Sequence, residues 1–472
     1  MNLFWFRKDL RLTDNPALYE ATKRGKVIAV YIQDDITPGK WKSGAASRWW
    51  LHHSLQVLKK SIESHGGHLY FYKGEAKKLL PEIAQQINAK TVYWNREYEP
   101  YAIEEEDQLK DTLRKLSVDT RIYNGRLLLD PEQIKNKQGS YFKVFTPFWK
   151  CCLAEDGVNA PLGIAKVARL VKSSELRLQD VSLDELNLLP KGHNWATKFY
   201  GLWAHGEQSA TNCLEQFIAN RLNCYAIGRD YPSEDATSTL SAYLHFGEIS
   251  PRQIWSAIQS YKTETKDTVN ADKFLSELGW REFSNYLLYH CPTLPEEAFN
   301  PTFNHFPWQE NKALLTAWQE GKTGYPLIDA GMRELWQTGY MHNRIRMAVA
   351  SFLTKHLLIH WQVGAKWFWD TLVDADLANN TCGWQWVSGC GADAAPYFRI
   401  FNPIIQSEKF DPESIYIKRW VPELREFSGK AIHRPWECVN VIGKKYPAPI
   451  VDHKLARERA LEAYQQVKKG HA

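Results

Sequence analysis

Asn2-Leu3-Phe4-Trp5-Phe6 opens the chain as an unbroken apolar run. Four more runs follow over residues 27–32, 68–72, 91–94 and 121–123, with amphipathic stretches such as 46–63 and 81–87 between them. Strand-length runs alternating with helical stretches indicate parallel βαβ units, hence an open α/β sheet. Such a sheet takes a ligand at the carboxyl ends of its strands, near the point where strand order reverses. No G-x-G-x-x-G or P-loop follows the first run, which argues against a dinucleotide held there in the usual manner.

Beyond residue 130 the alternation stops. Residues 131–205 mix charges, Gly, Pro and short apolar pieces, as in Gln138-Gly139-Ser140-Tyr141-Phe142-Lys143-Val144-Phe145-Thr146-Pro147. A connector this long is functional or ordered by docking. From 206 to 472 the periodicity is helical, over 207–222, 251–262, 271–290, 311–320, 325–338, 343–361 and 454–468. The reading is therefore α/β plus all-α: a sheet domain over 1–130, a linker over 131–205 and a helical domain over 206–472.

Composition narrows the setting. The 472 residues are 44% hydrophobic and 24% charged, an ordinary globular balance. Cys151 and Cys152 are adjacent, the other six cysteines are scattered, and no C-x-x-C pair suggests zinc or a redox centre. No apolar stretch approaches the roughly 20 residues that cross a bilayer, and no signal-peptide pattern precedes the first strand. A cytoplasmic, reducing setting is expected. The net charge of +5 permits a local basic groove without requiring one. Twenty Trp beside four Met fit either bulky helix packing or a function for the indoles.

Four segments concentrate polar chemistry. Thr237-Ser238-Thr239-Leu240-Ser241 places hydroxyls and backbone N–H groups before an apolar run, which suits a helix cap or a phosphate. In Glu277-Leu278-Gly279-Trp280-Arg281-Glu282-Phe283-Ser284, helical spacing puts Glu277, Trp280, Arg281 and Ser284 on one stripe. That stripe is a Glu277–Arg281 surface pair with Trp over its stem, or a pocket wall. Met341-His342-Asn343-Arg344-Ile345-Arg346-Met347 opens a helix with Asn343 and Met347 on one face. An amide there can orient a flat heterocycle, and Arg344 and Arg346 take phosphates or face water. Asp374-Ala375-Asp376-Leu377-Ala378-Asn379-Asn380 has close carboxylates without a His or third acid at metal-ligand spacing, so no metal is expected. They form a turn or accept from hydroxyls or a ring N–H.

In this order the segments resemble the photolyase/cryptochrome family, and specifically its class I cyclobutane pyrimidine dimer photolyases. The resemblance begins at Trp5-Phe6-Arg7-Lys8-Asp9-Leu10-Arg11-Leu12-Thr13-Asp14-Asn15. It is densest from Lys322-Thr323-Gly324-Tyr325-Pro326 to Phe398-Arg399-Ile400-Phe401-Asn402-Pro403. It implies an antenna domain, a wrapped linker and a helical domain that holds FAD. Tyr225, Thr237, Ser238, Thr239, Leu240, Ser241, Phe274, Asn343, Arg346, Asp374, Asp376 and Asn380 would line the flavin. Arg229, Glu277, Trp280, Arg281, Ser284, Asn343, Arg344, Met347, Trp386 and Gln406 would meet UV-damaged DNA. Trp384, Trp361 and Trp308 match a chain that carries an electron to the flavin.

The implied reaction is light-driven. Reduced flavin, FADH⁻, fed by an antenna pigment, donates one electron to a flipped-out dimer, the cyclobutane ring opens and the electron returns. Glu277 would stabilise the dimer's radical anion and Asn380 the reduced flavin. Asn95-Arg96-Glu97-Tyr98-Glu99-Pro100-Tyr101 looks more like deazaflavin binders than folate binders, and methenyltetrahydrofolate stays open. Family members are monomers as a rule. Cryptochromes signal and do not repair; they frequently replace the residue matching Asn380. (6-4) photolyases carry paired histidines at His342-Asn343 and another at Met347.

Overall fold

The computed structural model describes residues 1–154, 158–172, 178–192, 195–394, 398–438 and 445–469. Packing divides the chain into two compact units. The first comprises Met1–Asn223 and Ser238–Pro292, the second Cys224–Thr237 and Thr293–Ala472.

In the first unit the five apolar runs form strands β1 (Asn2–Phe6), β2 (Val27–Gln33), β3 (Leu69–Lys73), β4 (Thr91–Asn95) and β5 (Asp119–Tyr123). All neighbours are parallel, in the order β3-β2-β1-β4-β5. β1 and β2 are buried along their whole length. Parallel strands covered on both faces need no polar alternation, so they read as continuous apolar runs. Helices α1 (Pro16–Arg24), α2 (Ala45–Ser64), α3 (Ala76–Gln86) and α4 (Pro100–Lys115) make the crossovers. On one face Leu3, Trp5, Val30, Tyr70 and Trp94 pack with Leu80 and Ile83 of α3 and Leu109 and Leu113 of α4. Each such side chain contributes roughly 1.5–3 kcal/mol when fully buried. The helix read over 81–87 begins five residues earlier, with Pro81 inside it.

The described parts of the connector dock on this unit through bridges Thr13–Ile164, Val27–Leu170 and Phe71–Val181. Residues 155–157, 173–177 and 193–194 of it lie outside the described residues. The stripe of Glu277, Trp280, Arg281 and Ser284 lies on α5 (Thr268–His290), which Asp267 caps by accepting from Asn270 N at 3.1 Å. Gly279 on α5 lets Trp149 approach to 2.7 Å of where a Cβ would stand.

The second unit holds α6 (Pro326–Thr338), α7 (Asn343–Ser351), α8 (Trp361–Thr371), α9 (Leu377–Ser388) and α10 (His453–Lys469). The single helix read over 343–361 is corrected. α7 ends in a π-turn, Phe352–His356, and Leu358 takes a left-handed φ of 53°. The turn buries Thr354, Lys355 and His356, and Lys355 Nζ donates to Ser388 O at the end of α9. His360 then caps α8, its Nδ1 accepting from Gln362 N. Apolar periodicity is blind to such a turn because the residues on both sides keep helical spacing. Among the described residues no helix is long and apolar enough to cross a membrane.

Candidate flavin and electron-transfer site

α7, α8 and α9 enclose a cavity of about 220 Å³ within the second unit. Asn343, Arg346, Met347 and Ala350 of α7 face it at helical spacing. From α9 come Asn379, Asn380, Gly383, Trp384 and Val387, and α8 adds Phe368. Asp376 starts α9: its carboxylate accepts from Asn379 N and from Asn379 Nδ2, both at 2.9 Å. The cap satisfies an orphan donor of the first turn and fixes the wall.

Asp374 and Arg346 set the electrostatics of the cavity. Arg346 donates to Asp374 Oδ2 at 2.8 Å and to Met341 O at 2.7 Å. Asp374 Oδ1 is buried with no hydrogen-bond partner among the described residues. A buried orphan acceptor on a cavity wall suits a ligand's ring N–H. Asn380 donates to Ala365 O at 3.0 Å, which turns its amide into a fixed dipole. A Cβ at Gly383 would meet nothing within 4 Å, so the wall is open there. The set of carboxylate, guanidinium and amides around an apolar floor fits a flavin ring.

In the same unit, Tyr416 OH and His342 N both donate to Glu334 Oε2, at 2.5 and 3.4 Å. Burial pushes the Glu334 carboxyl up to about 7, from 4.5. The folded state therefore holds a proton that the unfolded state releases, and this contribution to stability is lost as pH rises from about 4.5 to about 7. Glu334→Gln keeps the acceptor and removes the ionisation. The variant's melting temperature is expected to gain on the native one across that window, by the equivalent of about 3 kcal/mol above it. Parallel melting curves at the two ends of the window check this.

The three expected electron-transfer tryptophans lie along α8, Trp361 on it, Trp384 on α9 and Trp308 in a loop beside His360. Trp361 is the first residue of α8 and 3% exposed; Trp384 is 2% exposed, and Trp308 is half-buried. His360 lies 5.0 Å from the Trp308 ring and 5.6 Å from Trp361. One turn on, Gly364 faces Trp384 so closely that a Cβ would sit 2.1 Å from its Cη2. Phe368 meets the same indole at 5.0 Å.

Other expected residues lie apart from this cavity. In the second unit, Arg344 pairs with Asp230 and lies 4.4 Å from the Phe410 ring centre. Arg229 lies over the buried Tyr225 at 5.4 Å. Thr237 is hydrogen-bonded to Tyr340. Trp386 donates to Asp393 O, and Gln406 stands on the helix Pro403–Phe410.

In the first unit, Ser241 begins a short helix whose cap position is Leu240, without a side-chain cap. The hydroxyl run therefore does not cap that helix. Thr239 adopts a φ of 53°, and Cys213 Sγ donates to Ser238 O. A β-branched residue at positive φ is strained. Phe274 packs on Phe217 at 4.7 Å. On α5 the surface-pair reading of the stripe sets Glu277 against Arg281. Glu277 accepts from Lys273 at 2.9 Å, while Arg281 donates to Glu282 and to Arg126 O. Trp280 stacks on Phe145 at 3.9 Å, and Ser284 donates to Trp280 O.

Ala350, Phe368, Leu372, Ala375, Asn379, Gly383 and Val387 complete the cavity and were not singled out in the sequence. Extending the period from Asn343 and from Asp376 along their helices would have reached Ala350, Asn379, Gly383 and Val387.

The fold agrees with known proteins. Residues 2–162 match the DNA photolyase family and residues 274–466 the FAD binding domain of DNA photolyase. The deoxyribodipyrimidine photo-lyase of Agrobacterium fabrum is 45% identical, covering 99% of this chain and 98% of its own. Cryptochrome-2 of Arabidopsis thaliana is 35% identical over 99% of this chain and 79% of its own. A solved bacterial class III photolyase from Agrobacterium tumefaciens superposes with a TM-score of 0.94 at 45% identity, covering 99% of this chain and 98% of that one. The chain belongs to the FAD-binding photolyase/cryptochrome family.

Proposed function

We propose that this chain repairs UV-damaged DNA in light, splitting cyclobutane pyrimidine dimers. The observation that carries the reading is that Asn343 and Met347, where (6-4) enzymes carry histidines, face one cavity with Arg346, Asp374 and Asn380. Bound reduced FAD supplies the photo-excited electron. Around it, Asp374 Oδ1 accepts from the ring, Arg346 holds that carboxylate, Asn380 favours the reduced ring, and Met347 gives the dimer an adaptable apolar floor. Arg229, Arg344 and Gln406 serve the DNA strand, with Trp386 beside the lesion. The 45% relative described as class III inclines the class assignment from class I toward class III.

The sheet domain 1–130 is proposed as the antenna domain, 131–205 as linker and 206–472 as catalytic domain. The antenna pigment is a deazaflavin or methenyltetrahydrofolate, and the working form a cytoplasmic monomer. From the first unit, Ser238, Thr239, Leu240, Ser241 and Phe274 are proposed for the flavin. Trp280, Arg281 and Ser284 are proposed for DNA, and Glu277 for hydrogen-bonding the dimer.

Two substitutions test these roles. Glu277→Ala keeps FAD and lowers the repair yield severalfold, since an anion-stabilising hydrogen bond is lost, and the fold gives up its pair with Lys273. An unchanged quantum yield sinks the assignment. Trp308→Phe slows photoreduction of oxidised flavin at least tenfold and spares repair by pre-reduced protein, because Phe holds an electron hole poorly. Transient absorption with native kinetics counts against the chain. The likeness to Cryptochrome-2 favours a photoreceptor as the second reading.

A further inference from the structure

His342 is only 5% exposed, and it has two roles to divide between its nitrogens. Its Nδ1 accepts from Arg344 N at 3.2 Å and caps α7. A ring nitrogen that accepts from an amide carries no proton, so in the neutral imidazole the proton sits on Nε2. Burial, then Arg344, Arg229 and Arg346, hold the ring's pKa down at about 4, so the neutral form prevails. Nε2 is buried and has no hydrogen-bond partner among the described residues. A buried N–H without an acceptor is costly, so a ligand acceptor is the natural complement.

The surroundings select the acceptor's charge. Three guanidinium groups, of Arg344, Arg229 and Arg346, act on the ring against the single carboxylate of Asp230. A net cationic environment with a neutral donor at its centre suits an anionic oxygen. We propose that His342 Nε2–H donates to a phosphoryl oxygen of a bound molecule, making His342 a binding residue beside Asn343 and Arg344. The inference rests on the flavin and DNA reading of the site. That reading offers two sources of phosphoryl oxygen, the flavin diphosphate and the DNA backbone.

Paired amide substitutions separate the two nitrogens. His342→Asn keeps an acceptor near Nδ1, and Asn is a good cap, but it cannot reach as far as Nε2. His342→Gln places an N–H near Nε2 and loses the cap. FAD affinity is read by fluorescence on recombination with the apoprotein. DNA affinity is read in the dark by anisotropy of the holoprotein with UV-irradiated oligothymidine. His342→Asn is expected to melt as the native protein does and to bind one ligand about tenfold or more weakly, and His342→Gln to recover most of that loss. Loss in the FAD arm assigns the diphosphate; loss in the DNA arm assigns the strand. The salt slope of DNA binding stays unchanged, because a neutral donor releases no counterion. Native affinity of His342→Asn for both ligands overturns the proposal and leaves a cap only. Loss of affinity in His342→Gln equal to that in His342→Leu also overturns it. Native protein that binds neither FAD nor irradiated DNA refutes the reading of the site instead.

Discussion

Asp374→Ala is expected to empty the flavin site, weakening FAD by at least a hundredfold and lowering stability by about 2–3 kcal/mol. Two effects add. The orphan Oδ1 that would take the ring N–H disappears, and Arg346 loses the carboxylate 2.8 Å from its guanidinium. Arg346 is 24% exposed on its side chain, so water offsets part of the loss and the cost stays below that of a fully buried pair. Asp374→Asn keeps the shape and an acceptor while removing the charge, so it should bind FAD with intermediate affinity. Fluorescence titration and melting curves read both quantities. Native FAD affinity in Asp374→Ala would remove Asp374 from the cofactor site.

The second large effect comes from a methyl group. Gly364→Ala puts a Cβ 2.1 Å from Trp384 Cη2 and 2.6 Å from Leu353 Cδ2, distances no packed side chain tolerates. Either the indole swings away or α8 and α9 part. Overpacking of this kind costs about 1–3 kcal/mol, occasionally more. Because Trp384 also lines the cavity, the displacement should reach function. Photoreduction of oxidised flavin is expected to slow at least tenfold, with a melting temperature several degrees lower. A variant with native melting and photoreduction would show that α8 and α9 do not pack as described.

Strands β1 to β4 were legible because parallel strands covered on both faces leave little polar to interrupt their runs, whereas the edge strand β5 is half-exposed and its polar start lay outside the run. All five strands begin and end within two residues of those runs. The helical half was legible in its elements and less so in its breaks. Leu357, Leu358 and Ile359 continue an apolar pattern across the place where the backbone leaves the helix. At the site, Asp374, Asp376, Asn380, Asn343 and Arg346 were reached through the family resemblance, on segments whose close carboxylates, amides and arginines stood out in an apolar context. Phe368, Leu372 and Val387 did not, since a cavity wall and a core use the same side chains. Partners distant in sequence were equally hidden. Arg344 is held by Asp230, 114 residues away. Even locally, spacing leaves a choice, for Glu277 meets Lys273 one turn before it. Local spacing proposes such pairs, and packing decides them.

The central claim is tested most directly by lesion loss in light. Reduced, FAD-loaded protein is mixed with an oligothymidine carrying cyclobutane dimers, and separately with a (6-4) substrate, each under blue light and in the dark. Loss of the cyclobutane dimer alone, and only in light, is the expected result. A protein that binds and reduces FAD yet leaves both lesions intact under illumination would contradict the claim and place the chain with the photoreceptors.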